Sequence, residues 1–433
     1  MEEHVIIGNG PAGISAVEAI RERNKNDHIK LITKEKSLPY ARIALADVLQ
    51  GSLEEKDISI RSKNFFSKQN IEVLSETKVI SINPSTKTIT VEDGEKTKQK
   101  TDYSKLLIST GASPITPPID GVKANGVFTL GSLSDVWKIQ EYVKEKDVET
   151  CIIVGAGFIG LEATEALVKL DIDIHLVELL DRILPNLLDK STSVTLHKDL
   201  EEANINTHLS TKLEKIEGDP VESAIVESEN FGKEKISCDL VILAVGMRPN
   251  IEFLKNGEIK TDNGIIVNEN METSSDDIFA AGDVAEAYNI FGERCINLTW
   301  PSAVFQGEVA GTNMANGDKN YIDLRRNIIN VIYSKIVSLG RTPTQAKNEN
   351  LEIIRKSEGE KVRIGIFDSN KLVGFTSLGS ERAIMEAGVL GTLIRKGFEP
   401  KNKKEILSPY SSTRKLLEKV GFYTEDSTPF FKF

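Results

Sequence analysis

The sequence predicts an α/β fold with two similar parallel-sheet units and a third, α+β domain at its C-terminal end, and three observations favour this arrangement. A short apolar run, a glycine-rich turn and a helical pattern follow one another from residue 4. The same succession recurs from residue 151. Beyond residue 325 the pattern becomes that of an antiparallel hairpin with a polar turn. A chain of 433 residues is also long enough for roughly two to four domains.

The first unit passes from the apolar run HVII at residues 4–7 into the turn GNGPAG at 8–13, and helical spacing follows over 14–21. In such a turn the first glycine permits a tight bend, the second lets a pyrophosphate approach the backbone, and the third lets the helix pack closely on the strand. Free N–H groups at the helix N-terminus also favour a phosphate. The pattern predicts a Rossmann-like dinucleotide-binding unit with candidate contacts at Gly8, Gly10, Pro11, Ala12 and Gly13.

The second unit repeats this pattern, with CIIV at residues 151–154 leading into GAGFIG at 155–160 and then into a helix over 161–170. A second strand over 173–177 follows. Two such units in one chain are a far more specific signal than a single glycine turn. The candidate contacts in the second turn are Gly155, Gly157, Phe158, Ile159 and Gly160.

The residue that ends the second strand of each unit is expected to contact the ribose. In the second unit this residue is Glu178, about 20 residues past the glycines, where an acid accepts hydrogen bonds from the adenine-ribose hydroxyls. Its carboxylate would repel a 2′-phosphate, so the unit is predicted to bind NAD rather than NADP. In the first unit the matching position is Thr33 and the nearest acid is Glu35, and the ribose contact stays open between them.

Composition argues against several classes of function. The formal charge of −11 disfavours nucleic acid as the main partner. No apolar run approaches the roughly 20 residues of a membrane helix, and the N-terminus has no basic, apolar leader pattern, so a cytoplasmic protein is expected. The cysteines Cys151, Cys238 and Cys295 lie far apart and the five histidines are isolated, so neither a dithiol nor a metal site is predicted.

Three further segments resemble one known superfamily. LLISTGASP at 106–114 and LVILAVGMRPN at 240–250 resemble the two crossings between an FAD domain and an NAD domain, and IFAAGDVA at 278–285 resembles a second FAD fingerprint. With the two glycine turns, this order and spacing resembles the pyridine-nucleotide-disulfide oxidoreductases over residues 1–320. The resemblance implies that Asp283 holds the ribityl hydroxyls of FAD. It places further cofactor contacts at Val79, Thr110, Gly111, Gly246 and Gly282.

Within that superfamily, LPYARIAL at 38–45 and WPSA at 300–303 resemble the NADH-dependent rubredoxin reductases and the flavin module of assimilatory nitrite reductases. This likeness implies Arg42 near the FAD phosphates, Trp300 and Pro301 beside the flavin ring, and Glu162 near the nicotinamide as the candidate catalytic residue. Thiol-dependent members carry a cysteine just before Leu-Pro-Tyr, whereas this chain has Lys36 and Ser37 there. Asp47 stands where oxygenase-coupled ferredoxin reductases tend to have lysine. We therefore expect no thiol chemistry.

The resemblance implies an FAD domain of residues 1–112 and 248–324, an inserted NAD domain of 113–247, and a C-terminal interface domain of 325–433 that serves a partner protein or a homodimer. In the last domain we predict a hairpin over 362–376, a helix over 381–395 and another near 413–420.

The predicted function is transfer of electrons from NADH through FAD to a one-electron carrier such as rubredoxin. Three alternatives stay open: the NAD-reactive subunit of a larger iron–sulfur oxidoreductase, an NADH oxidase, and a non-enzymatic NADH-sensing flavoprotein. Rubredoxins and ferredoxins are usually acidic, so docking requires a locally basic surface. Residues 325–433 have a net charge of +8 against −19 for the rest of the chain. Their densest basic group consists of Lys401, Lys403, Lys404, Arg414, Lys415 and Lys419.

Overall fold

The computed structural model describes residues 2–254, 257–332 and 334–408. The first part of the chain contains β1 (Glu3–Ile7), α1 (Pro11–Arg23), β2 (His28–Ile32), α2 (Leu45–Leu49), α3 (Lys63–Lys68), β3 (Ile71–Leu74), β4 (Lys78–Asn83), β5 (Thr88–Glu92), β6 (Lys98–Asp102), β7 (Lys105–Ile108) and β8 (Ala112–Pro114). The second part contains β9 (Val127–Thr129), α4 (Leu133–Lys146), β10 (Thr150–Val154), α5 (Phe158–Val168), β11 (Asp173–Val177), α6 (Lys190–Glu202), β12 (Asn206–His208), β13 (Thr211–Glu217), β14 (Ser223–Ser228), β15 (Gly232–Ser237), β16 (Leu240–Leu243) and β17 (Met247–Pro249).

The remaining elements belong to a short return segment and a C-terminal segment. The return segment contains β18 (Ile265–Ile266), β19 (Ile278–Ala280), β20 (Ala285–Tyr288), β21 (Arg294–Ile296) and α7 (Trp300–Met314). The C-terminal segment contains β22 (Arg326–Val331), β23 (Ser334–Gly340), α8 (Pro343–Asn348), β24 (Glu352–Glu358), β25 (Lys361–Asp368), β26 (Lys371–Leu378) and α9 (Glu381–Arg395). Single 3₁₀ turns lie at Arg42–Ala44 and Lys403–Leu407.

Two parallel sheets form the centre of the fold and confirm the predicted α/β class. The first has the strand order β19-β7-β1-β2-β3, and the second has the order β12-β11-β10-β16-β9. Their central strands are short apolar runs without alternation because both faces of each sheet are covered. In the second sheet, Ile153 belongs to a core shared with α4 and α5, whereas Ile152 belongs to a core shared with β13 and β14. Val5, Ile6, Ile152 and Ile153 are accordingly fully buried.

The chain leaves the first sheet and returns to it at one place. Ser113 on β8 pairs with Arg248 on β17 in a two-stranded antiparallel sheet. The return brings β19 beside β7, so residues far apart in sequence complete one sheet. We propose the predicted domain limits, 1–112 with 248–324, 113–247 and 325–433, because this pair lies at both crossings.

The C-terminal segment forms an antiparallel sheet with the order β22-β23-β26-β25-β24. The predicted hairpin is β25 and β26, with Asp368 opposite Lys371, and the predicted helix over 381–395 is α9. The helix predicted near 413–420 lies outside the described residues. One face of the sheet packs with α9 around Phe367 and Phe375, and the other joins the core beneath the second parallel sheet. In the described ranges, no helix combines the length and apolar character that crossing a bilayer requires.

Candidate active site

A cavity of about 1190 Å³ lies where the two glycine turns open toward each other. The turns stand at the carboxyl ends of β1 and β10, the edge at which open α/β sheets bind ligands. Most predicted site residues line this cavity. They are Gly8, Gly10, Pro11, Ala12, Thr33, Glu35, Arg42, Val79, Thr110, Gly111, Gly157, Phe158, Ile159, Glu162, Gly246, Gly282, Asp283, Trp300 and Pro301.

Three predicted glycines, Gly13, Gly155 and Gly160, lie beneath the turns rather than at the cavity wall. A Cβ atom at Gly13 would lie 2.0 Å from the carbonyl oxygen of Gly8, and one at Gly160 would lie 1.9 Å from that of Gly155. Each helix therefore approaches its turn more closely than any side chain permits. These glycines shape the turns and bring α1 and α5 onto their strands.

Glu178 also lies outside the cavity lining, directly after β11, and is 8% exposed. Its Oε2 atom accepts a hydrogen bond from the Ala156 amide at 2.7 Å, and its Oε1 atom accepts one from the Leu180 amide at 2.8 Å. The carboxylate thus joins the end of β11 to the second glycine turn. This places one fixed negative charge beside that turn.

The first unit has a polar network in the corresponding region. The Thr33 hydroxyl donates to Asn9 Oδ1 at 3.1 Å and accepts from the Glu35 amide. Glu35 forms an ion pair with Arg42 and accepts a hydrogen bond from the Tyr40 hydroxyl at 2.7 Å. Arg42 also lies over the Tyr40 ring, 4.9 Å from its centre. Both candidates for the ribose contact line the cavity, and the Glu35 carboxylate is already engaged by Arg42.

Asp283 lies at the cavity wall after Gly282, which has a left-handed φ of +82°. Burial raises the pKa of the Asp283 carboxyl to about 6, although the nearby Arg42 opposes the shift. Among the described residues, no donor is hydrogen-bonded to this carboxylate. A half-buried carboxylate without a protein donor is suited to a ligand that carries hydroxyl groups.

Glu162 lies on the first turns of α5, at the part of the cavity that faces α2. Burial raises the pKa of its carboxyl to about 7, and the negative charges of Asp47 and Glu165 add to the shift. Asp47 on α2 lines the same cavity and accepts a hydrogen bond from Gln50 Nε2 at 2.9 Å. A carboxyl with a pKa near neutral inside a cavity can both take and release a proton.

Sequence reasoning missed several parts of the wall, including two longer stretches of chain. Residues 184–187, in the loop before α6, and residues 325–330, on and before β22, also line the cavity. The segment 325–330 begins the C-terminal domain and contains no motif that would mark it as part of a site. Only the packing of β22 against α5 brings it there.

No cysteine lines the cavity in the described part of the chain, which includes all three. Cys151 and Cys238 are buried in strand regions, and burial raises the pKa of both thiols. Burial also raises the pKa of Cys295. Each thiol is therefore held in its neutral, unreactive form at physiological pH.

Comparisons with known proteins identify the family of the chain. The family model described as pyridine nucleotide-disulphide oxidoreductase matches residues 2–307. The chain is 33% identical over 401 residues to the NADH oxidase of Methanocaldococcus jannaschii, which covers 87% of this chain and 88% of that protein. It is 33% identical over 383 residues to the NADH-rubredoxin oxidoreductase of Clostridium acetobutylicum, covering 87% and 92%. The solved NAD-dependent persulfide reductase of A. fulgidus superposes with a TM-score of 0.85 at 30% identity, covering 92% and 77%.

Proposed function

The chain belongs to the pyridine nucleotide-disulphide oxidoreductase family, and we propose that it is an NADH-linked FAD enzyme that passes electrons to a small one-electron carrier of the rubredoxin type. One observation carries this proposal: two dinucleotide-type turns, at 8–13 and 155–160, open into the same cavity. Two dinucleotides held there can bring their redox rings together. The superfamily assignment made from the sequence is confirmed by the family match.

The first turn and Asp283 fit FAD. An added Cβ at Gly10 would meet no atom within 4 Å, so there is open space above the N-terminus of α1 for a pyrophosphate. The unsatisfied carboxylate of Asp283 can accept hydrogen bonds from ribityl hydroxyls. FAD, when bound, takes up two electrons as a hydride and releases them one at a time.

The second turn fits NADH. Gly157 also faces open space at the N-terminus of α5, and the charge of Glu178 beside this turn favours a ribose without a 2′-phosphate. Glu162, one turn further along α5, is then positioned in the cavity as the candidate catalytic residue near the nicotinamide.

Two observations favour a protein carrier as the acceptor: no described cysteine lines the cavity, and one relative is named for rubredoxin. None of the cysteines, which all belong to the described residues, can relay electrons from the cavity wall. The C. acetobutylicum relative is named for rubredoxin. Of the predicted basic group, Lys403 is already paired with Glu352 at 2.5 Å, whereas Lys401 and Lys404 are exposed. Its members Arg414, Lys415 and Lys419 lie outside the described residues.

Anaerobic rapid-mixing spectroscopy tests the proposal. The purified protein should contain one FAD per chain, NADH should bleach the flavin absorbance, and added rubredoxin should restore it within milliseconds to seconds. A colourless protein that cannot be reconstituted with FAD would refute the cofactor assignment. The name of the M. jannaschii relative favours dioxygen as the second candidate acceptor. Rapid aerobic reoxidation together with inert rubredoxin would identify an NADH oxidase instead.

A further inference from the structure

A group of carboxylates lies on the cavity wall where α2 meets α5. Asp47 extends from α2, and Glu162 and Glu165 extend from α5. The two helices pack against each other, and Leu45 and Leu161 belong to the same buried apolar cluster. All three acidic side chains therefore belong to one packed pair of helices.

The three carboxylates differ in their partners. Glu165 pairs with Lys169 at 3.0 Å, and Asp47 accepts the hydrogen bond from Gln50. Glu162 has neither an ion pair nor a hydrogen bond among the described residues. It is thus a cavity carboxyl that has acidic neighbours but no cation to hold it in the charged form.

The proposed reaction releases a proton inside this cavity. Its balance is NADH + 2 A(ox) → NAD⁺ + H⁺ + 2 A(red), where A is a carrier that takes one electron and no proton. The hydride of NADH contributes two electrons and one proton, and only the electrons leave with the carrier. One proton must therefore pass from the cavity to solvent in each turnover, and a base on the cavity wall can accept it on the way.

We propose that Glu162 is this base, accepting the proton at its carboxylate and releasing it to solvent, and that Asp47 is a positioning residue whose negative charge acts on the Glu162 carboxyl. The inference rests on the proposed function and deepens it by assigning the proton that the electron carrier leaves behind. The O–H bond of the Glu162 carboxyl forms as the bond that held the proton on the reduced cofactor breaks, and this O–H bond breaks in turn when the proton passes to solvent water.

The electrostatic surroundings support these roles. With its pKa raised to about 7, first by burial and then by Asp47, the Glu162 carboxyl is poised between its two protonation states at neutral pH. The strands β10 and β16, which pack against α5, have no charged residues. On β22 the guanidinium of Arg326 lies 3.7 Å from Asp323. On β11, Asp173 is exposed and His175 is hydrogen-bonded to His208.

The test uses the FAD-loaded full chain and the variants E162Q and D47N. Infrared difference spectroscopy of the oxidised protein, without turnover, should show a carboxyl that titrates near pH 7 and is missing in E162Q. In D47N the midpoint should fall by about one pH unit because one like charge has been removed. D171N is the matched control, since Asp171 is an exposed carboxylate outside the cavity, and its midpoint should equal that of the unmodified chain.

Single-turnover proton release, followed with a pH indicator dye, gives the second readout. Ferricyanide serves as the one-electron acceptor in parallel with rubredoxin, so proton release can be tested even if rubredoxin is not the partner. E162Q should slow reoxidation at least about tenfold and abolish its pH dependence near pH 7, and D47N should shift that dependence downward. A Glu162 carboxyl that titrates below pH 5, or an E162Q protein with unchanged reoxidation and proton release, would overturn the proposal. Rubredoxin that stays oxidised while ferricyanide is reduced with normal proton release contradicts only the proposed acceptor.

Discussion

One glycine in each turn faces open space, since an added Cβ at Gly10 or Gly157 would meet no atom within 4 Å. Both have extended backbone angles that any residue adopts. Gly10→Val should therefore leave the fold intact but abolish flavin retention, and Gly157→Val should keep the flavin but weaken NADH binding at least about tenfold. Absorbance spectra and NADH titrations check both. Gly94→Val, at an equally open site outside the cavity, should do neither; loss of flavin in all three variants would indicate misfolding and contradict the assignment.

The negative charge of Glu178 predicts coenzyme choice. Glu178→Ala should raise the ratio of NADPH to NADH efficiency by about tenfold or more, equivalent to ~1.4 kcal/mol, because the repulsion of a 2′-phosphate is lost. The variant should also be less stable, since the Ala156 and Leu180 amides lose their acceptors. Steady-state kinetics with both coenzymes measure the ratio. An unchanged ratio would place the ribose elsewhere.

The raised pKa of Glu162 predicts a pH-dependent stability. Its ordinary value of 4.5 rises to about 7 in the native state, so the native state binds this proton more tightly than the unfolded chain. The contribution of Glu162 to the free energy of unfolding therefore falls as pH rises from 4.5 to 7. Glu162→Gln removes this fall in the free energy of unfolding, so the substitution should raise Tm more at pH 8 than at pH 5. Thermal unfolding of the apoprotein measures this, and an equal change at both pH values would contradict it.

At the scale of single elements, α9 is joined to β25 by a buried ion pair. Arg363 donates to Glu386 at 2.6 Å, and the side chains of the two residues are 6% and 1% exposed. Glu386→Ala leaves the buried guanidinium uncompensated and should cost ~3–5 kcal/mol. The double variant Arg363→Met with Glu386→Leu should recover much of this loss, since it removes both charges. Denaturant unfolding measures both, and equal losses in the single and double variants would show that the charges contribute nothing beyond packing.

At the scale of the whole molecule, the uneven charge predicts how an acidic carrier docks. If residues 325–433 attract it, carrier reduction should slow as salt shortens the Debye length from about 10 Å at 0.1 M. Flavin reduction by NADH does not require the carrier to dock, so its rate should change little. Charge reversal at the exposed Lys401 and Lys404 should slow the carrier but not ferricyanide. If neither salt nor charge reversal changes the rate of carrier reduction, residues 325–433 are not the docking surface.

The cavity is also a property of the whole molecule, because its wall combines segments that lie hundreds of residues apart. The turn at 8–13, the turn at 155–160, Asp283 and the strand β22 meet only after the two parallel sheets and the C-terminal sheet have packed. The glycine turns could be predicted because each is a local strand-turn-helix pattern. The part of the wall at 325–330 could not, because no local pattern records which strand edge packs against α5.

The sequence by itself determined the two Rossmann-like units, the hairpin and α9, since periodicity, glycine spacing and polar turns act over neighbouring residues. The family resemblance also singled out Glu162 as a candidate catalytic residue and Asp47 as a departure from related reductases. Only the tertiary structure decided that these two carboxyls share one cavity wall and that Glu178 fixes the second turn instead of lining the cavity. The physical reason is that burial and charge proximity, which set the proton affinity of Glu162, depend on packing between elements and not on the order of residues along the chain.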